Sequence, residues 1–332
     1  MKLIQLQAQS SLPKYKQIVR SIEIAIQEKR LQKNDHLPSI NKISLEHGIS
    51  RDTVLLAFDE LKKRGIVYSR LGKGYFVKST ESQVEMRIFL LFDELNAFKE
   101  ELYLSFLEQI GNKAQVDIFF HHFNENLFQK MVNDSNGNYS KYIIMPSNLK
   151  QVSSCIKQLP REDVYILDQT NEQLKELPSV HQHFEKDIFR ALEKGMHLLQ
   201  KYNRFILIFP GEKEPEGMVI GFRTFCEKHQ LNYEIIPNFD TKTIEKGAVF
   251  VIPSDLHLVQ VIEQGKSQQL NLGTDYGIIS FNDMPLKKVV ENGITTISTD
   301  FKKMGTTLAK MVLSNEKKQI ENPSDLIIRN SL

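Results

Sequence analysis

The chain has 332 residues, of which 41% are hydrophobic and 25% are charged, a composition typical of globular proteins with two or three domains. No apolar run approaches the length that crosses a bilayer, and the first residues lack the apolar core of a signal peptide. The two cysteines lie far apart and form neither a CxxC pair nor a disulfide framework. We therefore expect a cytoplasmic protein with no membrane partner.

Charge is distributed unevenly along the chain. Residues 1–80 hold 15 Lys and Arg against 7 Asp and Glu, a net charge of +8, whereas the remaining residues hold 28 against 34, a net charge of −6. A basic head on an acidic body indicates a polyanionic partner for the head alone.

The basic head has the pattern of three helices. Residues 14–30 place apolar side chains at helical spacing, and the Asn-Asp and Pro of "QKNDHLPS" end that helix. Ser39 caps a short second helix that ends at Gly48, and Ser50 caps a third helix that ends at Gly65. Two short helices joined by "HGI" form a helix-turn-helix.

The third helix presents its first residues to a major groove. Ser50, Arg51, Asp52 and Thr53 lie at the exposed end that meets base edges in such motifs. Arg51 is suited to two hydrogen bonds with guanine, and Thr53 is suited to a thymine methyl group or a phosphate. The helix amino terminus also favours a phosphate oxygen.

The stretch "LGKGYFV" at residues 71–77 fits either a nucleotide phosphate loop or a hairpin that contacts DNA. A Walker loop needs Lys followed by Ser or Thr at the start of a helix, whereas here Tyr and Phe follow and begin a strand. The runs "IVY" and "YFV" on either side of "LGKG" therefore predict a β-hairpin wing. In this wing Gly72 lets the backbone approach DNA, and Arg70 and Lys73 contact phosphates.

Residues 12–78 resemble the winged helix-turn-helix of GntR-type bacterial transcription regulators. The resemblance rests on "LPKY" before the first helix, "LPS" before the second, "ISRDTV" at the start of the third and "GKGYFV" at the wing. It implies that the residues at or near DNA include Lys14, Ser39, Arg51, Thr53, Gly72 and Lys73. Many members carry arginine where this chain has Asn41 and Leu55, which implies fewer cationic contacts and an operator unlike the commonest one of the family.

After the polar segment 79–86, which we expect to be a linker, short apolar runs alternate with amphipathic stretches. The predicted strands are 87–92, 116–120, 141–146, 163–168, 204–209, 232–237, 248–253 and 276–281, and the predicted helices lie near 98–112, 149–158, 185–201, 216–229 and 255–265. This alternation predicts parallel sheets with helices on both faces, and eight strands favour two lobes of about four strands each.

Polar residues and an aromatic ring follow the predicted strands, at the edge where ligands of open α/β sheets bind. They are Asp93, Asn96, Phe98, Ser147, Asp168, Gln169, Ser254, Asp255 and Asn282. Carboxylates, amides and a stacking surface are typical of sites for polyhydroxylated small molecules. Each Asp or Asn taken singly also fits a helix cap or a turn, but the set indicates a cleft.

Residues 86–332 resemble the sugar-sensing core of LacI-type repressors, a periplasmic-binding-protein type I fold. "FEKDIFRALEKGMHLLQKYNRFILIF", "VIPSDLHLVQVIEQ" and "YGIISFNDMPLKKVVENGITTISTDF" carry the resemblance. It implies that the residues lining the effector cleft include Asp93, Phe98, Ser254, Asp255 and Asn282. The arginine expected before "GF" is Met218, and the usual Asp-Asn of the crossover strand is His183-Phe184. Phe184 therefore joins the predicted effector residues, and a less charged grip, suited to a deoxysugar or pentose, is implied.

The sequence thus predicts an α/β protein with a winged helix-turn-helix at 1–78, a linker at 79–86 and a two-lobed periplasmic-binding-protein type I domain with parallel sheets at 87–332. The two halves together resemble the arabinose- and fucose-responsive regulators. We expect a homodimer that binds double-stranded operator DNA and is controlled by a small sugar such as fucose or arabinose, without a cofactor or metal. Whether the sugar releases or recruits DNA, and whether genes are repressed or activated, stays open.

The alternative function is a sugar-modifying α/β enzyme with a nucleic-acid-binding appendage. Such an enzyme needs a nucleophile with a base, a metal cluster or a phosphate loop. The sequence has no GxSxG, HExxH or Walker pattern. We therefore expect a regulator that is not an enzyme.

Overall fold

The computed structural model describes residues 3–7, 10, 12–78, 86–211, 213–239 and 243–332. The helices of these ranges are α1 (Lys14–Gln27), α2 (Ile40–His47), α3 (Arg51–Lys63), α4 (Ala97–Ile110), α5 (Glu125–Ser135), α6 (Val152–Ile156), α7 (Phe184–Leu199), α8 (Gly217–Lys228), α9 (Asp255–Ser267), α10 (Pro285–Val289) and α11 (Phe301–Ser314). The strands are β1 (Val67–Arg70), β2 (Gly74–Val77), β3 (Met86–Phe92), β4 (Ala114–Phe120), β5 (Lys141–Ile144), β6 (Val164–Asp168), β7 (Ser179–His181), β8 (Arg204–Ile208), β9 (Tyr233–Ile236), β10 (Ala248–Ile252), β11 (Tyr276–Phe281), β12 (Thr295–Thr299), β13 (Gln319–Glu321) and β14 (Ser324–Ile327).

The head comprises α1, α2, α3 and the antiparallel hairpin β1–β2, packed around one apolar core. The apolar stripes predicted from helical spacing face this core, since Ile18 and Ile22 of α1 and Val54 and Phe58 of α3 are fully buried. Gly48 ends α2 with φ +61°, a backbone conformation that glycine adopts without strain. The predicted three-helix unit with its wing is therefore confirmed.

The rest of the described chain forms two lobes, each built on a six-stranded sheet. Lobe 1 has the strand order β13-β7-β6-β5-β3-β4 and is parallel throughout. Lobe 2 has the order β14-β12-β11-β10-β8-β9 and is parallel except for β14, which runs antiparallel to β12. Helices cover both faces of the sheets, as strand–helix alternation predicted.

All eight predicted strands are present, but four short strands were missed: β7, β12, β13 and β14. The expectation of about four strands per lobe is therefore wrong. The missed strands are short or carry polar side chains, so they lack the continuous apolar run of a parallel strand buried on both faces. Most of the predicted linker, residues 79–86, lies outside the described residues; the exception is Met86, which begins β3.

The chain passes between the lobes three times, after β7, after β12 and after β13. Asn322 is buried and links the three crossings. Its backbone N–H donates to the carbonyl of His181 at 2.7 Å, and its side-chain amide donates to the carbonyl of Asp300 at 3.0 Å. Three adjacent connections form a hinge about which two rigid lobes can rotate.

None of the helices in the described ranges has the length and apolar character needed to cross a membrane.

Candidate nucleic-acid interface and effector cleft

The amino-terminal end of α3 is exposed and held by a local cap. The hydroxyl of Ser50 accepts a hydrogen bond from the backbone N–H of Thr53 at 3.2 Å and lies 2.8 Å from the Thr53 hydroxyl. Arg51 and Asp52 follow in the first turn, with both side chains in solvent. The cap leaves the first turn of α3 free to meet a groove of DNA.

The wing is a tight hairpin whose tip is braced from the head. The Lys73 N–H donates to the Arg70 carbonyl at 3.0 Å, and His36 Nε2 lies 2.8 Å from the Lys73 carbonyl oxygen. Gly74 has φ +92°, and a Cβ there would lie 2.9 Å from His36 Nε2, so only glycine fits. The Arg70 guanidinium lies 5.2 Å from the ring centre of Phe76. Sequence reasoning missed His36, which lies outside the hairpin it supports.

The residues predicted to contact DNA lie on the head, and all are exposed except Thr53, which is partly buried: Lys14, Ser39, Ser50, Arg51, Asp52, Thr53, Arg70, Gly72 and Lys73. Arg51, Arg70 and Lys73 form no ion pair with any carboxylate of the described residues. The Phe58 ring of α3 stacks on the Tyr75 ring of β2, with centres 4.4 Å apart, which places the wing beside α3. Unpaired cations therefore flank the exposed helix end.

Cationic side chains of α1 contact lobe 1. Arg20 pairs with the buried carboxylate of Asp163 at 2.7 Å, and Lys141 pairs with the same carboxylate at 2.9 Å. Lys16 donates to the side-chain oxygen of Asn138 at 3.0 Å. These contacts join the head to the end of lobe 1 where β5 and β6 begin.

A cleft of about 220 Å³ lies between the lobes, at the carboxyl ends of the strands. Its lining comprises Asp93, Glu94, Asn96, Phe98, Lys99, Phe123, Asp168, Gln169, Gln182, Phe184, Lys213, Glu214, Pro215, Met218, Pro253, Asp255, Phe281, Asn282, Met284 and Lys287. This volume is smaller than the roughly 300–1,000 Å³ of sites for drug-sized ligands, so it fits a single small molecule.

A buried ion pair forms the lobe 1 wall of the cleft. The carboxylate of Asp93, at the end of β3, pairs with the ammonium of Lys99 in the first turn of α4. Asp93 also accepts hydrogen bonds from the Glu94 N–H at 2.6 Å and from the Ser147 hydroxyl at 2.7 Å. Asn96 caps α4 by accepting from the Lys99 N–H at 3.2 Å. The cap and the pair fix both charged groups.

Asp168 connects lobe 1 to the crossings. It is the last residue of β6, with φ +71°, a strained conformation for a residue other than glycine, and it accepts a hydrogen bond from the Gln182 side chain at 2.5 Å. The Gln182 side-chain oxygen accepts in turn from the Thr299 hydroxyl on lobe 2. Burial raises the pKa of Asp168 above its ordinary value, and the nearby positive charge of Lys99 opposes part of that rise.

The lobe 2 wall carries a second paired lysine. The buried Lys287 ammonium lies 2.8 Å from the Asp255 carboxylate and donates to the Phe281 carbonyl at 2.5 Å. Burial lowers the pKa of Lys287, and the pairing with Asp255 acts in the opposite direction. Asn282 follows β11 with φ +58°, the left-handed conformation that Asn tolerates best among side chains with a Cβ.

Contacts across the mouth of the cleft join the two lobes. Lys213 of lobe 2 pairs with Glu94 of lobe 1 at 2.7 Å, and its ammonium lies 4.7 Å from the ring centre of Phe123. The Asn148 side chain donates to the carbonyls of Lys213 at 3.1 Å and Glu214 at 2.9 Å. These contacts must break for the lobes to separate at this side.

Most of the predicted effector residues line the cleft: Asp93, Asn96, Phe98, Asp168, Gln169, Phe184, Asp255 and Asn282. Ser147 and Ser254 are not part of the lining. Ser147 lies behind the wall, because its φ of +52° turns its hydroxyl onto Asp93, and Ser254 precedes α9 without a side-chain cap bond. Both serines follow strands, and the position after a strand was therefore not enough to place them in the lining.

The cleft is more charged than the sequence indicated. Lys99, Lys213 and Lys287 line it, and each is paired with a carboxylate. The expectation of a less charged grip, which rested on Met218 in place of arginine and on His183-Phe184 in place of Asp-Asn, is therefore wrong for the wall as a whole. Lys99 and Lys287 lie in the short stretches that follow β3 and β11. This position after a strand was the only feature of the sequence that could have placed them in the cleft.

Two family models match separate parts of the chain. Residues 14–77 match the model of "Bacterial regulatory proteins, gntR family", and residues 197–332 match a "Periplasmic binding protein-like domain". The chain is 36% identical over 66 residues to the uncharacterized HTH-type transcriptional regulator YcxD of Bacillus subtilis, covering 20% of this chain and 15% of that protein. It is 30% identical over 97 residues to the regulator YhcF of the same organism, covering 29% of this chain and 80% of that protein.

A third relative is similar along the whole chain. The arabinose metabolism transcriptional repressor of Geobacillus stearothermophilus is 21% identical over 360 aligned residues, covering 98% of this chain and 97% of that protein. Among solved structures, the trehalose repressor from Escherichia coli superimposes with a TM-score of 0.61 at 14% identity, covering 73% of this chain and 100% of that one. The Lac repressor dimer bound to operator and the anti-inducer ONPF superimposes with a TM-score of 0.61 at 14% identity, covering 75% of this chain and 95% of that one.

The winged head and the cleft between two parallel-rich lobes define a DNA-binding regulator with a periplasmic-binding-protein-like domain. The chain belongs to the GntR family of bacterial regulatory proteins.

Proposed function

We propose that this chain is a transcription regulator whose affinity for an operator is controlled by a monosaccharide bound between the lobes. The proposal is carried by the presence of two features in one chain. One is an exposed helix end flanked by unpaired cations, and the other is a small cleft lined by carboxylates, amides and aromatic rings. Carboxylate and amide groups bond sugar hydroxyls, and aromatic rings such as Phe98 and Phe184 offer a stacking face.

In this proposal residues 1–78 form the DNA-binding unit and residues 87–332 the effector unit. Arg51 and Thr53 contact base edges from the first turn of α3, and the wing supplies Arg70 and Lys73 to backbone phosphates. The remaining predicted contacts to DNA come from Lys14, Ser39, Ser50, Asp52 and Gly72. Operator binding implies work in the cytoplasm, where the bacterial chromosome lies.

The paired charges of the cleft favour a neutral sugar over an acidic or phosphorylated one. Each of the three lysines in the wall already neutralises a carboxylate, so no lysine is left over for a phosphate group. The relative that is similar along the whole chain is a repressor of arabinose metabolism. We therefore propose a pentose or a deoxysugar such as arabinose or fucose as the effector.

Strands β5 and β6 provide a physical route from the cleft to the head. Asp163 precedes β6 and pairs with Arg20 of α1, whereas Asp168 at the other end of the same strand lines the cleft. Five residue steps separate the two positions, so their backbones are about 17 Å apart at ~3.3 Å per residue. A ligand that prefers one lobe arrangement would reorient this rigid element and the head paired to it.

We propose that the regulator acts as a homodimer, because two heads one helical turn apart add their few base contacts. Leu256 and Val259 on α9 and Leu286 and Val289 on α10 are exposed apolar side chains on lobe 2. The ion pair between Lys287 and Asp255 places α10 beside the start of α9, and exposed apolar side chains on adjacent helices are typical of a surface that a second copy covers. Light scattering of Val289→Glu tests this: the variant should shift from dimer to monomer, and an unchanged mass would refute the surface.

The effector is tested by titration calorimetry with L-arabinose, L-fucose, D-xylose and glucose 6-phosphate. We expect a neutral sugar to bind and Asp255→Ala to weaken it. Binding of glucose 6-phosphate alone would refute the proposed ligand class. The regulatory role is tested by gel shift on duplexes that the full-length protein selects from a random pool, with and without the bound sugar. An operator affinity that the sugar leaves unchanged would refute the coupling.

We propose that the chain is not an enzyme, because the relative that is similar along the whole chain is a repressor and the two relatives of the head are regulators. Incubating the bound sugar with a molar equivalent of protein and following the sugar by NMR tests this. The sugar spectrum should stay unchanged, and a new sugar resonance would favour the enzymatic alternative.

A further inference from the structure

The recognition helix α3 carries apolar side chains in solvent. Leu55 is 39% exposed and Leu56 is 52% exposed, whereas the neighbouring Val54, Ala57 and Phe58 are fully buried in the head core. Scattered exposed leucines are ordinary on protein surfaces. These two differ because they lie on the helix whose outer face is proposed to enter a major groove.

Leu55 has a defined position relative to the other candidate DNA contacts. It follows Arg51 by four residues, so the two side chains share one face of α3, one turn apart. It precedes Phe58 by three residues, and Phe58 stacks on Tyr75 of the wing. Leu55 therefore lies on the wing side of α3, one turn after Arg51, on the face that the proposed groove binding directs towards base edges.

We infer that Leu55 contacts the methyl group of a thymine in each operator half-site and so selects thymine there. The C5-methyl of thymine is the apolar group that base pairs display in the major groove, and leucine offers a contact surface but no hydrogen bond. Asp59, which follows Leu55 by four residues on this face, is exposed and carries a charge that disfavours close approach to phosphates. Leu55 is thus the uncharged side chain one turn after Arg51. This inference rests on the proposed operator binding and adds the base that the helix selects.

The test removes single methyl groups from DNA. Duplexes selected from a random pool by the full-length protein are resynthesised with uracil in place of one thymine at a time, which deletes the C5-methyl and nothing else. Binding is measured by fluorescence anisotropy. For the wild-type protein we expect one thymine per half-site whose replacement weakens binding about fourfold, the equivalent of ~0.8 kcal/mol for one buried methyl-sized group.

Variants then assign that methyl contact to a side chain. Leu55→Ala should bind the thymine and uracil duplexes equally, and Leu55→Met, which keeps an apolar contact, should retain most of the fourfold ratio. Leu45→Ala is the matched control, since Leu45 is 84% exposed but lies on α2, and it should retain the wild-type ratio. Each ratio compares two duplexes on one protein, so a general loss of stability cancels.

The outcomes distinguish a failure of the thymine inference from a failure of the proposed operator binding. A wild-type protein that selects duplexes but distinguishes thymine from uracil at no position would overturn the inference and leave the operator function standing. The inference also fails where Leu55→Ala keeps the fourfold ratio. A wild-type protein that selects no sequence from the pool would overturn the proposed function itself.

Discussion

Replacing Lys99 with methionine tests whether the lobe 1 wall depends on its buried ion pair. Lys99 is 6% exposed and Asp93 is 2% exposed, so the carboxylate that remains in the variant is largely shielded from water. The N–H of Glu94 and the hydroxyl of Ser147 continue to donate to Asp93, but both are neutral groups. Removing one partner of a buried ion pair typically lowers the free energy of unfolding by about 3–5 kcal/mol. Because two hydrogen-bond donors to Asp93 remain, we expect a loss of ~3 kcal/mol for Lys99→Met.

Two further variants isolate the cause of that loss. The double variant Asp93→Asn/Lys99→Met leaves no buried charge unpaired, so its free energy of unfolding should lie within about 1 kcal/mol of the wild type. Lys213→Met removes a pair whose partner Glu94 is about one-third exposed, so it should lower stability by about 0–1 kcal/mol. Urea unfolding at pH 7.5, followed by far-ultraviolet circular dichroism, measures all three because the chain has no tryptophan.

The reasoning is refuted by either of two results. The first is a loss for Lys99→Met no larger than that for Lys213→Met, which would mean that burial adds nothing to the pair. The second is a double variant as unstable as the single one, because the loss would then come from packing of the lysine stem and not from an unpaired carboxylate.

Further expected outcomes concern the DNA contacts, a titrating carboxyl and helix packing. Arg51→Ala should weaken specific operator binding by about 1–3 kcal/mol while nonspecific binding changes less, and equal losses on both would contradict base contact. Lys73→Ala should weaken binding to all duplexes and lower the slope of log affinity against log salt by about one, and a wild-type slope would contradict the phosphate contact. Burial raises the pKa of Asp187 to about 6. The free energy of unfolding therefore includes the full favourable contribution of this carboxyl below about pH 4, and that contribution is lost as pH rises towards 6. The free energy of unfolding of Asp187→Asn, measured with urea, should therefore rise by about 2–3 kcal/mol relative to that of the wild type between pH 4 and 7. A difference between the two proteins that does not change with pH would contradict the assignment. Gly221→Ala should lower the melting temperature, since a Cβ there overlaps the Glu185 carbonyl where α8 crosses α7, and an unchanged melting temperature would show that the helices separate freely.

The head could be predicted almost completely from the sequence because its signals are local. Ser39 and Ser50 cap helices whose N–H groups lie three residues away, and Gly48 terminates α2 within the same short stretch. The wing follows from two glycines between β-forming runs. None of these features needs information from a distant part of the chain.

The cleft could be predicted in part, since the carboxyl ends of parallel strands meet at one edge of a sheet. This placed Asp93, Asp168 and Asn282 together, as the structure bears out. It did not distinguish Ser147, whose left-handed backbone turns it behind the wall, from the residues that line the cleft. The backbone conformation at a strand end depends on what packs against it.

The sequence by itself determined the three-helix head with its wing, the alternation that forms parallel sheets and the strands buried on both faces. Only the tertiary structure decided the edge strands β13 and β14, the lysines that enter the cleft and the pairing of Arg20 with Asp163. The physical reason is the range of the interactions. Caps, turns and apolar periodicity act within a few residues. The Arg20–Asp163 pair and the β13–β7 pairing join segments more than a hundred residues apart, and β14 pairs with β12 across the whole of α11 and β13.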